Sequence, residues 1–209
     1  MKGRRKAGVF LCSILCLMIF LTAGCSRVTV PETLTQSALS VSANGEVTAY
    51  LVEVFDKDYY QLAELEAMVK EDLAEFNESR KAESGESVKM VSLGMLPDDS
   101  KCVALQLWFS DVQAYVDYTG KTLFYGTVEQ AHAKGLGPDV KLASVKDGSV
   151  IGKTEIYENG TKKILIVQDR VLVYGPGKPM YVNTQATVNE DGSVALTADT
   201  EEKIYIIMK

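Results

Sequence analysis

The sequence predicts an α+β protein: a mostly antiparallel sheet with one long amphipathic helix and two short helices, and a β-rich C-terminal part. Three observations carry this. Apolar residues between Leu62 and Phe76 recur at helical spacing. From Ser149 onward, short apolar runs are separated by turn chemistry. No repeat of fixed period runs through the chain.

The chain opens on Lys2, Arg4, Arg5 and Lys6. An almost unbroken apolar run from Ala7 to Leu21 follows, then the small residues Thr22, Ala23 and Gly24. A charged start, an apolar centre and a small-residue end are the parts of a secretory signal peptide. The run falls short of the roughly 20 apolar residues that span a bilayer, although an uncleaved anchor helix is the alternative. Cys25 comes directly after. The stretch Leu21-Thr22-Ala23-Gly24-Cys25 resembles the lipobox of bacterial lipoproteins, with Thr22 standing where leucine is commoner. The resemblance implies a diacylglyceryl group on the Cys25 thiol and cleavage between Gly24 and Cys25. Two acyl chains suffice for stable anchoring where one is marginal. On this reading residues 1–24 are a signal peptide, 25–45 a flexible tether and 46–209 an extracytoplasmic domain. A sub-boundary near Asp147 stays open.

Of the 22 Lys+Arg, four lie in the first 24 residues, and none of the 28 Asp+Glu does. The remainder therefore carries 18 basic and 28 acidic side chains, a formal charge of −10. That opposes nucleic acid as a partner, because phosphate binding rests on clustered Lys and Arg. It also opposes adsorption of the domain itself to an anionic membrane. Cys12 and Cys16 fall in the apolar run, so beyond Cys25 only Cys102 remains and no internal disulfide is available. Cys102 begins an apolar strand, where a small buried hydrophobe is the expected role.

In chain order, Ser26 to Asn44 is rich in Ser, Thr and Val and reads as the tether, part of which could add an edge strand. Val47 to Phe55 is the first strand, apolar on both faces. Asp58 with Gln61 has the spacing of a capping box. The helix behind it carries Leu62, Leu65, Val69, Leu73 and Phe76 on one stripe, with Met68 beside it, and Glu64, Glu66, Lys70, Glu71, Glu75 and Glu78 opposite. Arg80 to Glu86 is a polar loop. Val88 to Leu96 and Cys102 to Phe109 are strands joined by the turn Pro97-Asp98-Asp99-Ser100. Ser110 with Gln113, and Thr127 with Gln130, predict two short helices closed by Gly120 and Gly135. The passage Phe124-Tyr125-Gly126-Thr127 with the helix to Gly135 resembles small uncharacterised lipoproteins of Gram-positive bacteria, a likeness that implies no activity. Val150 to Tyr157 and Lys163 to Gln168 read as a hairpin around Asn159-Gly160. Val171–Tyr174, Tyr181–Val188, Val194–Thr197 and Ile204–Met208 complete the strands.

Motifs that carry chemistry are few. Gly148-Ser149-Val150-Ile151-Gly152-Lys153-Thr154 has three residues between its glycines where a phosphate-binding loop needs four, and strand rather than helix is expected after it. His132 is the single histidine and stands on a short helix, without a Gly-x-Ser-x-Gly elbow or further zinc ligands around it. The acids Asp98, Asp99, Glu190 and Asp191 sit in turns without calcium-loop spacing. Ten tyrosines could line a sugar or peptide cleft, or pack at strand edges. No cofactor and no metal is implied. The favoured expectation is a non-catalytic binding or scaffolding lipoprotein, held to the membrane through Cys25 and engaging an envelope protein or polymer. The alternative is a carboxylate-dependent hydrolase of cell-wall or peptide substrates. Replacing Cys25 by Ala is expected to move the protein out of the membrane fraction of its host. A Cys25→Ala protein that stays in the membrane with unchanged gel mobility contradicts the lipid anchor.

Overall fold

The structure, a computed structural model, describes residues 34–80, 85–97, 101–196 and 203–209. Gly24, Cys25 and the rest of the signal-like segment lie outside those residues, as do Asp98 and Asp99. In chain order the elements are β1 (Ala38–Val41), β2 (Val47–Val54), α1 (Leu62–Arg80), β3 (Val88–Met95), β4 (Cys102–Phe109), α2 (Val112–Thr119), β5 (Leu123–Thr127) and α3 (Val128–Ala133). There follow β6 (Leu142–Ser144), β7 (Val150–Ile151), α4 (Lys153–Glu158), β8 (Lys163–Val167), β9 (Leu172–Tyr174), β10 (Pro179–Asn183), β11 (Ala186–Val188), β12 (Val194–Leu196) and β13 (Ile204–Met208).

Two sheets result. The first has seven strands in the order β11-β12-β9-β1-β2-β4-β3, and the second six in the order β5-β8-β13-β10-β6-β7. Every pairing is antiparallel except β1 with β9. The fold is thus α+β with two mostly antiparallel sheets. Strands from either side of Asp147 contribute to both.

Alternation along the strands decides what packs where. Leu39, Val41, Val47, Ala49, Leu107 and Phe109 of the first sheet meet Leu165, Val167, Ile204, Ile206 and Met208 of the second in one core, which Leu73 of α1 and Ala114 and Tyr115 of α2 also enter. The opposite side chains of the second sheet, Ile164, Ile166 and Ile207, lie under Val128 and Ala131 of α3 and Ile156 of α4. All five residues of β13 are therefore buried. Such unbroken apolar runs belong to strands covered on both faces.

Local chemistry matches several expectations and corrects others. Thr127 and Gln130 form the capping box of α3, with Gln130 N donating to Thr127 Oγ1 at 3.1 Å and Thr127 N to Gln130 Oε1 at 2.9 Å. Gly126 must lack a side chain, because a Cβ there would stand 2.6 Å from the Phe124 ring and 2.8 Å from that Gln130 oxygen. Gly120 closes α2 with φ 69°. The cap of α2 is Asp111 rather than Ser110: Ala114 N donates to Asp111 Oδ1 at 2.8 Å, and the Ser110 hydroxyl donates to the same carboxylate. A carboxylate beside the helix start also meets the positive end of its dipole. α1 begins at Leu62 behind Gln61, not behind an Asp58 cap.

Three larger expectations fail. The tether reading stops before Leu34, because β1 lies inside the first sheet between β2 and β9 with all four residues buried. Val150–Tyr157 is not one strand: the two-residue β7 ends at Gly152, and α4 follows with Ile156 buried. Glu155 reaches back to accept from Gly152 N at 3.0 Å. Tyr181–Val188 is likewise two strands, with β10 in the second sheet and β11 in the first. β5 and β6 were not anticipated as strands.

α1 is fixed at one end. Its Leu73 is buried, and Phe76 meets the Tyr118 ring of α2 edge-on at 5.1 Å. The Asn77 side chain accepts from Ser87 N and Val88 N at 2.8 and 3.0 Å and donates to Val88 O at 2.8 Å, so it completes the backbone bonding at the start of β3. Arg80 Nη1 donates to Asp117 at 2.8 Å, and the Tyr118 hydroxyl donates to Asp72. Asn77→Ala removes three hydrogen bonds worth about 1 kcal/mol each. Urea unfolding is expected to show a loss of about 2–3 kcal/mol, and a loss below about 0.5 kcal/mol contradicts the pinning role.

Candidate functional site

Toward its N-terminus α1 stands off the sheet. Leu51 and Glu53 of β2 and Val103 and Leu105 of β4 share the core-facing side, as the pairings Leu51↔Leu105 and Glu53↔Val103 require. Opposite them are Leu65, Met68 and Glu64 of α1. The space between is an open groove of about 460 Å³. Phe55, Tyr59 and Tyr60, in the loop from β2 to α1, form its end wall. The Phe55 and Tyr60 rings stack at 4.8 Å between centroids, and Tyr59 meets Tyr60 edge-on at 4.9 Å. The loop is tied down by Phe55 N donating to Lys101 O at 2.6 Å and Tyr60 N donating to Lys57 O at 2.9 Å. Tyr59, Met68 and Val54 are 72%, 67% and 65% exposed. Large apolar side chains gathered so openly make this groove the candidate site of the described residues. Methionine and aromatic rings adapt well to varied partners.

Two other clefts have mixed polar walls. One, of about 580 Å³, lies between the β1–β2 turn, α2 and β5, and its Asp111 and Lys121 are engaged in the α2 cap and in an ion pair with Asp169 at 2.6 Å. The other, of about 600 Å³, lies beside Ser37, Cys102 and Leu172. Its Asp169 holds that same lysine and also accepts from the Tyr115 hydroxyl at 3.4 Å. Burial, with the Asp169 charge close by, pushes the Tyr115 hydroxyl well above its ordinary value, so it stays a donor.

The residues singled out from sequence do not converge. His132 is exposed on α3, its ring 4.4 Å from that of Tyr157. Cys102 is half-buried at the start of β4. Gly148 turns the chain from β6 to β7, and a helix rather than a strand does follow Gly152. That helix has only six residues, the amide of its N-cap Gly152 is taken by Glu155, and the glycine spacing is still wrong for phosphate. On α1, Glu64, Glu71, Glu75 and Glu78 are exposed, and Glu66 pairs with Lys70 at 2.6 Å. Among the described residues no three His, Cys, Asp or Glu side chains come together as metal ligands, and no helix is long and apolar enough to cross a membrane. No family model, curated protein or solved structure matches the chain.

Three carboxylates among the described residues have shifted titration. Asp111, Asp147 and Asp191 are all held below the usual carboxylate range by hydrogen bonds, which for Asp111 outweigh its burial. A general acid needs the reverse shift. Asp191 shows the structural use: it accepts from the Ser193 hydroxyl at 2.7 Å, from Ser193 N at 2.9 Å and from the Tyr174 hydroxyl at 2.8 Å. Its folded pKa is depressed from 3.8. Ionised Asp191 therefore stabilises the fold above the unfolded value, and this contribution is lost as pH falls through the folded one. Asp191→Asn is expected to unfold more readily than the parent at pH 7, with the difference closing below about pH 4. A difference independent of pH contradicts this role.

Proposed function

We propose that this protein is a lipid-anchored extracytoplasmic binding module, without catalytic activity, that holds an apolar segment of another cell-envelope protein in the groove between α1 and the first sheet. The observation that carries the reading is the groove itself: an open apolar trough with an aromatic end wall. The two carboxylates on its walls, Glu53 and Glu64, are both exposed.

The anchor follows from the lipobox resemblance at Leu21–Cys25. The chain is already packed at Leu34, against Tyr50, Leu172 and Tyr174, so the span from Cys25 to that point is the nine residues 26–34. Fully extended they reach about 30 Å, half of what a tether running to Asn44 would allow. The module would work close to the bilayer, on partners that are themselves in or near the membrane.

The test uses the full chain in phosphatidylcholine vesicles and a short peptide with a Leu-Val-Ala core flanked by serines. Saturable binding is expected, and Met68→Asp should weaken it about tenfold, since an exposed position tolerates the change while about 1.5 kcal/mol of apolar contact is lost. An absence of binding, binding indifferent to Met68→Asp, or cleavage of the peptide contradicts the reading, the last in favour of a hydrolase.

A further inference from the structure

We infer that the groove selects basic partners: its occupant is an extended apolar polypeptide segment flanked by lysine or arginine, read by Glu53 from the sheet wall and Glu64 from the helix wall. This rests on the groove being the binding site.

Charge decides among the occupants. The groove is lined by two carboxylates and no basic side chain. Of the lysines close to it in the chain, Lys57 pairs with Asp56 at 3.4 Å and Lys70 with Glu66 at 2.6 Å, and Lys101 accepts from Phe55 N through its backbone carbonyl. Glu53 and Glu64 take part in none of the ion pairs seen among the described residues, and Arg170 lines a second cleft on the far side of Glu53. Their positions differ in origin. Glu53 continues the core-facing row Val47, Ala49, Leu51, where a further apolar residue would otherwise stand. Glu64 occupies the first turn of α1, where its charge also meets the helix dipole. An occupant with an acidic head, such as a fatty acid or an anionic phospholipid, would bring like charges together. A second copy docking through the same face would oppose its own Glu53 and Glu64 to these. A basic segment is attracted instead, and the exposed Tyr59 ring adds a surface for cation–π contact.

The test extends the vesicle experiment with two peptides that keep the same core, one flanked by lysines and one by glutamates. The lysine peptide is expected to bind about tenfold more tightly than the glutamate peptide at low salt, the sum of two exposed charge contacts. The margin should shrink as ionic strength rises. The double variant Glu53→Gln/Glu64→Gln should bring the affinity ratio of the lysine and glutamate peptides to about one. Equal affinities, or a margin that survives in the double variant, overturns the inference. If the serine peptide binds in either case, the groove reading stands without its charge selection. Self-association of the chain that Met68→Asp abolishes would make a second copy the occupant and also overturn it.

Discussion

The structure depends on how α1 is held. A helix of 19 residues could lie flat on the sheet, yet this one is fastened only through its second half. Asn77 completes the backbone bonding at the start of β3, and Phe76 locks into a ring cluster with Tyr118 and the fully buried Phe109, the last two 5.7 Å apart. One tie holds α1 to the next strand and the other to α2, so together they fix a direction as well as a distance. Over the first two turns nothing comparable exists. Leu62 and Leu65 are half-covered and Met68 is open, and the sheet beneath shows Leu51 and Leu105 incompletely covered as well. Apolar surface left on both walls is a standing cost of roughly 25 cal/mol per Å² relative to closing the gap. A helix fastened at one end keeps that gap open.

The rest of the molecule makes this affordable. The second sheet is covered on one face by the first sheet and on the other by α3 and α4, so β8 and β13 form a rigid interior. Lys121, Asp169 and Tyr115 then tie α2 to the segment after β8. α1 is fastened to α2, and α2 to this interior. The groove therefore sits on a well-packed base, with one wall whose first half has few ties to the rest of the fold.

Much of the fold was legible because local and tertiary demands agreed. The Thr127–Gln130 capping box, the Gly120 stop and the β3–β4 pair all follow from residues a few positions apart. Failure came where context overrode composition. Ala38–Val41 is too short to show alternation, and covering on both faces makes Ser40 a core residue, so a strand looked like a tether. Lys153–Glu158 is helical because Ile156 must reach the layer under α3, a demand that no local pattern announces. Thr184 and Gln185 pass unseen as the point where the chain changes sheets. The groove was hidden for a related reason. Met68 beside the helical stripe and the tyrosines before it were visible, but their convergence with Leu51 and Leu105 depends on the angle between helix and sheet. Asn77, a polar residue one turn beyond the buried Leu73, gave no sign that it sets that angle.

Hydrogen exchange along α1 tests this account most directly. Amides near Leu73 to Arg80 should exchange slowly, as part of the cooperative core. Those near Leu65 to Val69 should exchange much faster and slow markedly when an apolar peptide is added. Uniform protection along the helix, unchanged by the peptide, would mean that α1 is fastened throughout and that no compliant wall exists.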